Sequence, residues 1–204
     1  VAAALLAERN GWGLLNQLAW PAWVEVAIAV VVLDFAIWLQ HLASHKFGLL
    51  WRLHQVHHSD VDIDVTTAIR FHPVEIGLSM LYKIVWVLAL GPAAAAVVLF
   101  EVILNGCALF NHANVRLPLA LDSALRMFVV TPDMHRVHHS VVVRETNSNF
   151  GFNLSLWDRV FGTYLARPKG EQISMPIGLS SYRGAEATRF LWLLRFPFAR
   201  GPAA

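Results

Sequence analysis

At 204 residues the chain is long enough for one domain with a substantial core, but 56% hydrophobic and only 15% charged residues, with a mean hydropathy of +0.50, are unusual for a soluble globule and point to a membrane protein. The formal net charge of +2 comes without any long basic run and gives nucleic-acid binding no support. A single cysteine, Cys107, excludes an internal disulfide framework, a four-cysteine iron–sulfur site and a thiolate zinc cage, so any metal must be held by histidine or carboxylate.

The chain opens on Val rather than Met, which leaves room for a natural start upstream, and "AAALLAERNGWGLLNQLAW" is too polar and interrupted for a clear signal peptide. This stretch is expected to be a partial fourth span or an interfacial helix. The first full span is predicted over 22–40, "AWVEVAIAVVVLDFAIWLQ", which would cover about 28 Å as a helix, close to a bilayer core. Two more are predicted over 74–90 and 93–110, joined by the helix-breaking pair Gly91-Pro92 at the tip of a hairpin. Beyond Asn114 no run is long enough to cross. The tail "RFLWLLRFPFAR" interleaves aromatic residues with Arg and suits a helix at the lipid headgroups. The whole of 1–204 reads as a single domain.

Three spans put the 46–70 loop and everything after Asn114 on one side, together with nearly all Lys and Arg, so the positive-inside rule predicts that this side faces the cytoplasm. Every histidine then lies at that face: His41 and His45 at the end of the first span, His54, His57, His58 and His72 in the loop, His112 at the end of the third span, and His135, His138 and His139 in the tail.

"LHQVHHS" and "PDMHRVHHS" repeat one spacing, with histidines at i, i+3 and i+4, and on a helix such positions share a face, so each trio is expected to aim at a common point. His41 and His45, at i and i+4, do the same with two rings. An isolated histidine would read as an ordinary core or capping residue. Clustered, desolvated imidazoles compete for acceptors and repel when protonated, and a metal resolves that conflict. The zinc-protease patterns and the Glu-x-x-His pairs of soluble di-iron bundles are absent. Eight to ten imidazoles exceed the needs of one ion, so two ions are expected. Imidazole suits iron, zinc, copper and nickel alike. A membrane-facing pocket favours iron with oxygen, because an inert lipid C–H bond offers nothing to a hydrolytic zinc-water.

"HLASH" at 41–45, "HQVHH" at 54–58 and "HRVHH" at 135–139 resemble the three histidine boxes of the fatty acid hydroxylase superfamily, which includes the sterol desaturases. "LWRLHQVHHSDVDIDVTTAIRFHP", "NHANVRLP" and "ETNSNFGFNLSLWDRVFGTY" are similar to the same family's bacterial members, and "HHSDVDIDVTTAIR" also resembles its alkylglycerol monooxygenase branch. The likeness covers residues 30 to 165. It implies an all-α fold: an integral membrane helical bundle of three to four transmembrane helices, with a cytosolic helical cap carrying a di-metal histidine site. It further implies two non-haem iron ions that use O2 to hydroxylate or desaturate a fatty acyl, sterol or ether-lipid C–H bond, in a bacterial inner membrane. Zinc in place of iron in a purified sample is compatible with the same rings. Some members carry a further H-x3-H pair; here His112 is present, Ala108 stands four residues before it, and His72 is the candidate that completes the ligand set.

Other residues are weighed by position. Asp34 shares a helix face with His41 and His45 and reads either as an acceptor orienting a ligand ring or as a structural partner for a polar group. Glu101, Asn105 and His112 share a face of the third span, so Glu101 either polarises the cavity beside the metals or pairs with Lys83. Glu25 is expected near the interface, Arg52, Arg70 and Arg136 as solvated or paired cations, Asn147, Asn149 and Asn153 in turns, and Trp157-Asp158 as structural. No dinucleotide fingerprint, haem-attachment site or iron–sulfur cysteines occur, so electrons must come from an external ferredoxin, cytochrome or reductase. Two rival readings keep the same histidines. One is a zinc-dependent lipid hydrolase, which would need no O2; the other is a transporter or metal sensor, which the gathering of histidines at one membrane face disfavours.

Overall fold

The computed structural model describes residues 1–199, and among them the ordered elements are helical, with isolated antiparallel bridges at Val129–Leu154 and Ser140–Ile177. Three helices are long and apolar enough to cross a membrane: α2 (Ala22–Lys46), α4 (Pro73–Leu90) and α5 (Ala94–His112). The predicted spans are therefore present. The first continues six residues past Gln40, so His41 and His45 sit on the helix itself.

Local sequence sets the ends of these helices. α4 starts at Pro73, whose fixed φ suits the first turn, and its N-cap is His72. It stops at Gly91, where φ is +67°, a left-handed value that closes a helix cheaply only with glycine. Glu25 does not merely reach the interface: its Oε1 accepts from the Ala93 N–H at 2.6 Å and caps α5. The segment before Pro21 forms α1 (Ala2–Asn10) and a 3-10 turn, Leu14–Gln17, packed against this end of the bundle. At nine residues, or about 14 Å, α1 is too short to span. Gly13 lies so close to Gly91 that a Cβ added to it would come within 2.3 Å of the Gly91 nitrogen.

One stripe of α2 explains how the bundle holds the site. Ala29, Leu33 and Ile37 recur at helical spacing and are buried with Val97 and Phe100 of α5 and Val87 and Leu90 of α4. Four residues beyond Ile37 the same stripe delivers His41. The apolar core and the metal-facing rings are thus successive parts of one helix face.

The cap follows. α3 (Gly48–His58) turns back from α2; α6 (Leu119–Leu125), α7 (Pro132–His138), α8 (Val143–Thr146) and α9 (Leu156–Val160) come after α5. α10 (Phe190–Arg195) and the turn Phe196–Phe198 lie against α3, where Trp192 stacks on Phe196 with centroids 4.3 Å apart. Phe190, Leu191 and Phe198 of this tail are exposed.

Candidate metal centre

Nine of the ten histidines converge into two adjacent groups, one of His41, His45, His54, His58 and His138, the other of His57, His112, His135 and His139. Within each group the ligand atoms all lie within 4.8 Å of one another. Eight of these nine residues are buried and His45 is partly exposed.

The expectation that each box aims three rings at one point is corrected by this division. A helix turns about 100° per residue, so His54 and His58 diverge by only about 40°, whereas His57 and His58 stand about 100° apart. His54 and His58 enter the five-ring group and His57 enters the four-ring group; in the second box His135 and His139 stay together while His138 crosses to the other side. Each box therefore serves both groups and ties them together, with His58 and His139 stacked across the divide at 4.6 Å.

Backbone carbonyls set the direction of the rings. Nδ1–H of His41 donates to the Phe150 carbonyl at 2.7 Å, that of His138 to Ser148 at 2.7 Å, that of His57 to Thr67 at 3.1 Å and that of His112 to Ala108 at 2.7 Å. His54 donates instead to the Glu75 carboxylate, at 2.6 Å. Where Nδ1 is protonated in this way, as in His57 and His112, Nε2 carries a bare lone pair, and four Nε2 atoms crowd together: His57 to His112 at 3.2 Å, His112 to His135 at 3.0 Å, and His135 to His139 at 3.3 Å, with the Nδ1 atoms of His135 and His139 buried without a partner. In the five-ring group the Nε2 atoms of His41, His45, His54, His58 and His138 are buried without a partner. Buried polar atoms are almost always satisfied, and opposed lone pairs at contact distance repel. An imidazole nitrogen sits about 2.0–2.1 Å from an ion such as zinc, which puts neighbouring ligands about 3.0–3.4 Å apart. The donor set and its spacing fit metal ions.

Electrostatics favours the same state. Burial, with help from neighbouring rings, holds the imidazoles of His57, His58, His135 and His139 well below the ordinary histidine value, and burial lowers His138 to about 3. The rings are neutral near pH 7 and ready to ligate. The unfolded chain takes up protons on these positions as pH falls below about 6.5, while the folded site does not, so stability is present above that pH and lost as pH falls from there towards the folded values. Metal-stripped protein in detergent is expected to melt roughly 5 °C or more lower at pH about 5 than at about 7.5. A flat thermal profile would contradict neutral buried rings.

The tenth histidine lies elsewhere. His72 belongs to neither group: its Nδ1 accepts from the Val74 N–H at 3.2 Å, and its Nε2–H donates to the Leu194 carbonyl at 3.2 Å, so both nitrogens are engaged in capping α4 and anchoring the tail. Asp34 hydrogen-bonds no histidine; it accepts from the Trp157 indole at 2.8 Å and the Leu154 N–H at 3.4 Å, the structural alternative. Glu101 pairs with Lys83 at 2.7 Å, and Asn105 donates to the Glu101 carbonyl at 2.7 Å. Arg70 pairs with Asp60, while Arg52 and Arg136 donate to the carbonyls of Ala199 and Ile173.

Sequence reasoning missed Glu75, because nothing near it in the chain marks it; only the fold brings it to His54. Asn149 is more than a turn residue. With Asn149 at φ +52°, its side chain bonds Met134 and Leu165 and fixes the irregular stretch whose carbonyls at Ser148 and Phe150 orient His138 and His41.

Between α2, α4 and α5 a cavity of about 290 Å³ runs from this centre into the bundle. His41, His54 and Glu75 line its metal end; Ile37, Leu104 and Phe152 line its walls; Lys83 and Glu101 lie further along. It joins the five-ring group to membrane depth.

A helical membrane bundle whose cap closes over two all-imidazole clusters defines a membrane protein fitted to hold a pair of metal ions. The family model described as Fatty acid hydroxylase matches residues 26–163, and the chain belongs to that family. It is 30% identical over 181 residues to the ornithine lipid hydroxylase OlsE of Rhizobium tropici, covering 89% of this chain and 52% of that one. It is likewise 30% identical over 156 residues to the alkylglycerol monooxygenase of Homo sapiens, covering 74% of this chain and 33% of the other. The fatty acid hydroxylase vlmA of Lecanicillium sp is 25% identical over 190 residues, covering 80% and 48%. The chain thus spans about half, or less, of the length of these relatives. No solved structure matches it.

Proposed function

We propose that this chain is a membrane-bound non-haem di-iron oxygenase that hydroxylates a lipid C–H bond, using O2 and electrons supplied from outside. The observation that carries the reading is the pair of adjacent imidazole clusters opening, through His41 and His54, on a cavity at membrane level whose surface is mostly apolar, with the Lys83–Glu101 pair further along it. The relatives' activities support it, since hydroxylation of an ornithine lipid and mono-oxygenation of an alkylglycerol both act on lipids.

One ion would be held by His41, His45, His54, His58 and His138, and the other by His57, His112, His135 and His139. Two irons bound there supply the activation of O2 that insertion into a C–H bond requires. One oxygen atom goes to the substrate and the other leaves as water, consuming two electrons and two protons. The chain's own residues do the rest. Ile37, Leu104 and Phe152 bind an alkyl segment and exclude water, so that its C–H bond lies against His41 and His54. The carbonyls of Phe150 and Ser148 and the carboxylate of Glu75 hold the rings in one tautomer. His45, the partly exposed ring, sits 4.8 Å from Trp51 beside a second cavity of about 200 Å³ on the cap, and this is the side from which electrons would arrive. The excess of Lys and Arg on the cap supports a cytoplasmic face for it, where a ferredoxin, cytochrome or reductase would be accessible.

Iron-loaded protein, a membrane lipid extract, a reductase system and isotopically labelled O2 test the proposal. Label in a hydroxylated lipid is the expected result. An unlabelled product formed without O2 would replace it with the hydrolase. Ala108 lines the cavity while only its carbonyl touches His112. Ala108→Phe should therefore lower turnover by at least about tenfold by filling the channel, while iron content stays at the wild-type level.

A further inference from the structure

Two carboxylates, Asp158 in α9 and Asp34 in α2, have no part in the proposed chemistry. Asp158 is fully buried and accepts from the Trp38 indole at 3.0 Å, the Phe150 and Gly151 N–H groups at 2.9 and 2.8 Å, and the Thr163 hydroxyl at 2.7 Å. Asp34 takes the Trp157 indole and the Leu154 N–H. Both bind the irregular stretch around α9 to α2, and the contact is reinforced by Trp157 against Phe35 at 5.0 Å and Phe161 against Trp38 at 4.6 Å.

The depth of that contact is informative. Phe35 lies thirteen residues after the start of α2 and eleven before its end, so about 16 Å of helix separates it from Lys46. With the span over 22–40 ending near Gln40, Phe35 lies about 8 Å and Trp38 about 3 Å inside the edge of a bilayer core about 30 Å thick, and α9 lies beside them. Irregular backbone is tolerated at such depth only where its polar groups are satisfied by protein, and Asp34 and Asp158 do that for Phe150, Gly151 and Leu154. Beside a pocket lined by Asp122, Arg126 and Arg159, the outward face of this region is largely apolar. Leu156, Val160 and Phe161 are exposed on and beside α9, and Leu119, Leu121 and Phe128 are exposed on and beside α6. The two patches are joined: Ser155 donates to the carbonyls of Phe128 and Arg126, and Val129 bridges Leu154. At the edge Arg159 lies 4.0 Å over the Tyr164 ring, a pair suited to the headgroup level.

We propose that α6 and α9 form a re-entrant face of the cap, embedded in the bilayer hydrocarbon on the flank of α2 and continuous with that helix's lipid-facing side. The occupant of the apolar face is acyl chain. The segment carrying the Phe150 carbonyl, which orients His41, is thereby held at membrane depth, and a lipid reaches the cavity without leaving the bilayer. The inference depends on the membrane fold and not on the oxygenase reading.

The test uses full-length protein in phospholipid nanodiscs, with Cys107→Ser as background and single cysteines at Phe128 or Val160 carrying a nitroxide. Val98, exposed on α5, serves as the lipid reference, and Glu171, exposed on the cap, as the water reference. Both test labels should collide with O2 several-fold more than with a water-soluble nickel chelate, as the label at Val98 does. Nickel-dominated collisions at either position, matching Glu171, would overturn the proposal. Protection from both reagents would overturn it too, by showing protein, such as a second copy of the chain, on this face. Gel-filtration profiles matching the parent establish that each variant is folded, and the two positions are read independently.

Discussion

Protein carrying His138→Ala together with His139→Ala is expected to hold about one iron per chain, against about two in the unaltered protein, with turnover down by at least about a hundredfold. The double change takes one ring from each cluster. The single changes should differ. His139 belongs to the four-ring group, whose Nε2 atoms stand 3.0–3.3 Å apart along the chain of contacts, so His139→Ala leaves three ligands and should cost about one iron. His138 belongs to the five-ring group, and its loss leaves four rings that still converge, so iron should be retained more fully there. Elemental analysis of detergent-purified protein reads all three. Retention of both irons in the double variant would sink the two-cluster reading, and loss of both from either single change would mean one cooperative site. Zinc alone, persisting after growth in iron-rich medium, would favour the hydrolase.

The second large effect is expected at Glu75. Glu75 is 8% exposed and lines the cavity; its Oε1 accepts from the His54 Nδ1–H at 2.6 Å, while Oε2 is buried without a partner. A carboxylate behind a ligating imidazole fixes its tautomer and raises its basicity, and loss of such a partner typically costs about 10–100-fold in metal affinity or activity. Glu75→Ala should show that loss as faster iron release to a chelator from the five-ring group alone. Glu75→Gln keeps an acceptor without the charge and should fall between the two. If Glu75→Ala releases iron at the wild-type rate, Glu75 is only a packing residue. Rescue by Gln separates an orienting role from a general loss of stability, which would release both irons together.

Much of the molecule was legible before any coordinate. The spans over 22–40, 74–90 and 93–110 stand out because a bilayer demands long uninterrupted apolar runs, and Gly91-Pro92 marks the hairpin because neither residue continues a helix. The histidine boxes stand out because that spacing has few other uses. Helical periodicity carried the argument as far as one face of one helix. It went wrong where two elements share a site: an i, i+3, i+4 trio suggested one focus, but His57 and His138 lie across a boundary that a single helix cannot reveal. His72 looked like a ligand by its neighbourhood in the chain, and became a cap because the turn before Pro73 points its ring at Val74 and Leu194. Asp34, a costly carboxylate in a span, read equally as an orienting acceptor or a structural partner, and the donors that decide for the second come from Leu154 and Trp157, more than a hundred residues away.

Sequence alone determined the solvent, the spanning helices and the chemical identity of the donors, because these follow from composition and short-range periodicity. Only the tertiary structure decided which nitrogen meets which, that Glu75 stands behind His54, and that α9 lies beside the middle of α2. Those are long-range contacts, fixed by how helices pack after the apolar faces have been buried, and the pairing of distant polar groups leaves no mark on the local sequence.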